Sequence, residues 1–155
     1  MKAKILSLVL GIFTLTTFAQ TENDYIEIVR DVLKTEKKAA IADVMMLTEE
    51  ESQPFWSLYN QFESALYEVH NKRLNIIKEY AENYESMTDE KADELTNRMF
   101  KFEAELMKIE KTYYNKFKKI VPAGKAAKLM QANNKIETMV NYELAASIPL
   151  VETAK

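Results

Sequence analysis

Two stretches of this chain, forty residues apart, carry the same spacing of apolar side chains. Starting seven residues past Thr48, alternate steps of four and three reach Phe55, Tyr59, Phe62, Leu66, Val69, Arg73, Ile76 and Tyr80. The same count past Thr88 reaches Leu95, Met99, Phe102, Leu106, Ile109, Tyr113, Lys116 and Ile120. A repeat of about 3.5 residues is the seam of a helix packed lengthwise on a partner. A strand cannot use it, because strand side chains alternate from face to face. The two segments therefore predict two long helices, each with one apolar stripe to be covered.

Each seam is preceded by a helix start. The order is Leu or Met, then Thr, then acids: Leu47-Thr48-Glu49-Glu50-Glu51 and Met87-Thr88-Asp89-Glu90. A Thr at the N-cap accepts from the free N–H groups of the first turn. Glu51, three residues past Thr48, completes a capping-box pattern, and the acids favour the positive end of the helix dipole. Leu47 and Met87 are placed to staple onto the first turn. Pro54 removes one backbone bond, to the carbonyl of Glu50, so a small bend or loose first turn is expected there.

The remaining periodicity predicts α1 over about 23–45, with Ile26, Val29, Leu33, Ala40 and Val44 on one face. It places α2 over 48–84, α3 over 88–120 and α4 over 122–147. Pro122 suits a first helical position. The apolar face of α4 is Ala126, Leu129, Met130, Ile136, Val140, Leu144 and Ile148. The short link NYESMT makes α2 and α3 an antiparallel hairpin. Two Gly and three Pro are too few for a turn-rich β fold. The fold class is all-α: four helices with a long antiparallel α2–α3 hairpin, elongated rather than globular.

The N-terminal segment MKAKILSLVLGIFTLTTFA has two Lys, a short apolar run and a small-residue end. This is the pattern of a cleavable export signal, with the cut expected after Ala19 and one helical domain over 20–155. The apolar run is shorter than the roughly 20 residues that a membrane span needs. There is no Cys, hence no disulfide, and the fold depends on its apolar core. Without the signal the chain carries 19 basic and 24 acidic residues, a net charge of −5. The charges are unevenly placed. Residues 108–128 hold seven Lys and one acid, whereas 20–66 hold ten acids and four bases.

Nothing in the sequence supports catalysis. The one His, His70, has Leu66, Tyr67, Arg73 and Leu74 as its helix neighbours, and none is a probable metal ligand by type. The Met residues are scattered as core filler is, not paired as copper ligands are. Adjacent acids at 49–51 point to different sides of a helix. No nucleophile–His–acid order or phosphate loop is present. The expectation is a non-enzyme without cofactor or metal. Arg73 and Lys116 interrupt the seams, either as snorkelling or register-fixing charges or as charges lining a binding cleft. The Lys-rich segment interleaves Tyr113, Tyr114 and Phe117; export argues against a nucleic-acid partner, and a solvated face is the simple alternative.

The paired starts, Leu47-Thr48 with Glu51 and Met87-Thr88 with Lys91, resemble the Spy/CpxP-like family of periplasmic proteins, also called the LTxxQ family. The resemblance covers residues 40–148. Glu and Lys stand where that family often has Gln, and Met replaces the first Leu of the second motif. Stretches such as FWSLYNQFE look still more like uncharacterised exported bacterial relatives of the family. The resemblance implies an ATP-independent periplasmic chaperone: a thin helical homodimer whose concave face holds partly unfolded protein clients. The alternative it implies is a regulatory partner of an envelope-stress or metal-response system, bound to the periplasmic domain of a membrane sensor. On the chaperone reading the expected client contacts are Arg73, Tyr113, Tyr114, Lys116, Phe117, Lys118 and Lys119. Charges would steer the encounter and aromatics would hold the client.

Overall fold

The structure is a computed structural model that describes residues 33–152. The expected export signal, its cleavage point and residues 23–32 of the expected first helix lie outside the described residues. The chain divides into two units, residues 1–39 and 40–155. In the first, residues 33–39 are described and helical. They belong to α1, described over 33–45, whose last residues, 40–45, open the second unit.

The second unit continues with α2 (Glu49–Asn83), a short 3₁₀ turn (Tyr84–Ser86), α3 (Asp89–Phe117) and α4 (Ala123–Ser147). Among the described residues there is no strand. The expected long hairpin is present: α2 and α3 pack along one another as antiparallel partners. Helix α4 returns along α2 in the same direction. His70 meets Glu137, Arg73 meets Asn141, and Tyr80 meets Pro149.

Both Thr caps form as the sequence predicts. The Thr48 side chain accepts from the Glu51 N–H at 3.3 Å, and the Glu51 carboxylate accepts from the Thr48 N–H at 3.0 Å. Such a cap contributes about 1 kcal/mol. Ahead of the caps, Leu47 is half-buried against the main core and Met87 is buried in the second. The first turn of α2 is closed, with the Ser52 N–H donating to the Thr48 carbonyl at 3.0 Å, and the helix is continuous through Pro54.

Two boundaries differ from the expectation for one reason. Helix α3 ends at Phe117, and residues 118–120 tighten into a turn in which Lys119 and Ile120 donate to carbonyls three residues back. Pro122 requires the residue before it to leave the helical region, so α3 cannot continue through Val121. Pro122 itself is the N-cap of α4, not its first helical residue; its extended ψ of 146° ends the turn and its carbonyl accepts from Ala126.

The core lies in two parts. The main part joins Ile41 and Met45 of α1, Phe55, Leu58, Tyr59, Phe62 and Leu66 of α2, and Phe117 of α3. Val121, Ala126 and Leu129 complete it. Aromatic rings dominate: Phe55 lies 5.2 Å from Phe117, and Phe62 lies 5.1 Å from Tyr113, centroid to centroid. The second part, Val69, Ile76, Met87, Leu95 and Phe102, belongs to the hairpin alone. On α1 the buried positions are Ile41 and Met45, whereas Ala40 and Val44, expected on the inner face, are exposed.

Candidate functional site

The expected contact residues do not form one surface. Phe117 is completely buried in the main core, so its role as a client contact is corrected: it is a packing residue. The seam explains why. A straight helix drifts by about 20° per heptad against a strict seven-residue repeat. By the end of α3 the inward position has moved from Lys116 to Phe117. Lys116 is thereby turned outward and sits over the Tyr113 ring at 4.4 Å. Tyr113 is half-buried, packs its ring at a tilt against Phe62 and donates to the Gln61 carbonyl at 3.1 Å. Lys118 lies over the Tyr114 ring at 4.8 Å, and Lys119 is exposed.

Arg73 packs against different residues. It is half-buried between the hairpin and α4, donates to the Asn141 side-chain oxygen at 2.6 Å, and lies 5.7 Å from the Phe102 ring centroid. Burial lowers its pKa, against the raising effect of the Glu137 and Glu103 carboxylates. Of the two readings of this seam charge, its surroundings fit a register-fixing contact. His70 faces Glu137 at 3.2 Å. Among the described residues no group of three or more His, Cys, Asp or Glu side chains is placed to hold a metal ion.

What α3 does present is a second line of side chains with the spacing of the first. Phe100, Ala104, Met107, Lys111, Tyr114 and Lys118 follow steps of four and three along the helix. Phe100 is 63% exposed and Met107 is 69% exposed. Where α4 begins to pass, Met107, Glu110, Lys111 and Tyr114 face Met130 and Asn134 across a shallow groove of 370 Å³. Its lining is mostly apolar and includes one lysine, Lys111, and one acid, Glu110. The sequence reading placed Met130 on the apolar face of α4 but missed Phe100 and Met107, because the buried seam of α3 absorbed the apolar pattern. The signal was there: large apolar residues recurring off the seam at the same period.

At the far end of the hairpin a charge cluster closes the turn. Arg98 donates to both oxygens of Glu79, at 2.7 Å each, and Lys91 reaches Glu79 at 3.1 Å and Glu94 at 2.9 Å. The paired cations, Arg98 first, hold the Glu79 carboxyl down at about 2. Lys91 therefore ties α3 to α2. At the other end Lys125 binds the Glu51 carboxylate and the Met46 carbonyl, and with the Thr48 bonds it lowers the Glu51 pKa.

Set against known protein families, curated proteins and solved structures, the chain matches none.

Proposed function

We propose that this chain is an exported, ATP-independent holdase that binds partly unfolded polypeptides, acting in the periplasm as the Spy/CpxP-like resemblance implies. The observation that carries this is the second line of α3, on which Phe100 and Met107 are exposed and the half-buried Tyr114 follows them into the α3–α4 groove beside Lys111 and Lys118. Soluble chains seldom leave such large apolar side chains in line and uncovered without a partner. Met and aromatic side chains adapt to many shapes, which suits a surface with many clients. The lysines add long-range attraction and keep the line from collapsing on itself.

The chemistry needs no nucleotide, cofactor or covalent step. A client segment with exposed apolar residues lies along α3, loses its water against Phe100, Met107 and Tyr114, and leaves when it folds. A photo-cross-linking residue at Met107 is expected to capture a chemically unfolded client, whereas one at the exposed Thr112, on another face of α3, is expected to capture little. Equal capture at the two positions would remove α3's second line as the binding surface. Capture of one dominant membrane-sensor domain from cells, with no unfolded clients, would favour the regulatory alternative.

A further inference from the structure

Helix α4 is fastened in two different ways. Up to Asn133 it belongs to the main core, with Ala126, Leu129 and Asn133 as its buried residues. Beyond Asn133 no residue of α4 is buried. The inward stripe continues through Ile136, Val140 and Leu144, but Val140 is 43% exposed, and none of the three joins either apolar cluster. Two polar contacts tie this half to α2, His70 to Glu137 at 3.2 Å and Arg73 to Asn141 at 2.6 Å, and a third, Tyr80 to the Pro149 carbonyl at 2.9 Å, ties the segment that follows it directly.

Asn133 stands at the boundary. It is 1% exposed, and neither its amide nitrogen nor its amide oxygen has a hydrogen-bond partner. The Nε of Arg73 is likewise buried without one. Each such group works against docking, because water would satisfy it. Polar contacts at a partly exposed interface contribute little net, since both sides exchange them for water on opening. The hairpin does not depend on this half of α4. Its second core, from Val69 to Phe102, is built by α2, α3 and Met87.

We propose that the second half of α4, from Ile136 to Ser147, is a strap that undocks from the hairpin by itself. The hinge is Asn133, and opening uncovers the α2 stripe of His70, Arg73 and Tyr80. The strap thereby exposes a second aromatic and cationic stripe on the molecule. Undocking is a property of the chain alone, independent of any client.

Hydrogen exchange of the full chain under native conditions tests it. Amides of residues 136–147 are expected to exchange at least about 100-fold faster than those of 99–106. Ordinary fraying would confine fast exchange to the last turn, 144–147, and that result would overturn the strap. Tyr80→Phe keeps the ring and deletes one tie; it is expected to speed exchange of 136–147 by about threefold and leave 99–106 unchanged. Asn133→Leu removes the buried amide and is expected to slow exchange of the strap about tenfold. Should that variant not fold, the Tyr80→Phe comparison decides. Uniform protection across α3 and α4, or a Tyr80→Phe effect shared equally by both segments, would overturn the proposal.

Discussion

Met46 shows what a single residue can hide from sequence reasoning. It links α1 to α2 with a φ of 46°, in the left-handed region that glycine tolerates and other residues resist. Its side chain is 77% exposed, so packing does not compensate. The Lys125 ammonium on its carbonyl helps to hold the conformation. Met46→Gly is expected to raise unfolding stability by about 0.5–1 kcal/mol, less than the full strain because glycine also frees the unfolded chain. Urea denaturation measures this; a loss of stability would mean that the strain is relieved by something else. The Thr caps and the Glu51 return bond, by contrast, were legible, because they depend on residues three apart. Asn133 was not legible. A lone polar residue on an apolar stripe looks like a gap, and only the packed helices reveal that its amide is enclosed.

At the level of elements, the α2–α3 hairpin was readable from the four-three spacing and the capping pairs, and the other helices from looser apolar periodicity. Seven residues of α2 are buried, and six of them are seam positions, Leu58 being the addition. The seam of α3 failed only near its end, where helical drift exchanged Lys116 for Phe117. Electrostatic ties between helices were not readable, since Glu79 and Arg98 are nineteen residues apart. Their chemistry gives a pH test. The folded Glu79 carboxyl titrates at about 2 against an ordinary 4.5. A depressed value stabilises the fold fully above 4.5, and that contribution is lost as pH falls from there towards 2. The thermal midpoint of the wild type is expected to drop across this window. In Glu79→Gln the drop is expected to be smaller, and an identical drop in both would show that the cluster does not stabilise the hairpin.

Across the second unit, charge is uneven in a different way from the sequence expectation: Glu51 of the acid-rich stretch meets Lys125 of the lysine-rich one, and the acidic end is the α2–α3 turn. Exposed Glu82, Glu85, Asp89 and Glu90 surround the α2–α3 turn, whereas Lys116, Lys118 and Lys119 surround the α3–α4 turn. The apolar surface was less legible, because a helix with two stripes reads as a helix with one until a partner covers the first. Phe100 and Met107 are then what remains uncovered, and their exposure is the basis of the proposed holdase activity. The most direct test is light scattering from a heat-aggregating client protein, without nucleotide, at equal molar amounts of chain and client. The wild type is expected to suppress scattering, and Phe100→Ser with Met107→Ser is expected to lose most of that effect while keeping its helical content. Full suppression by the double variant, or none by the wild type even in large excess, would contradict the proposed function.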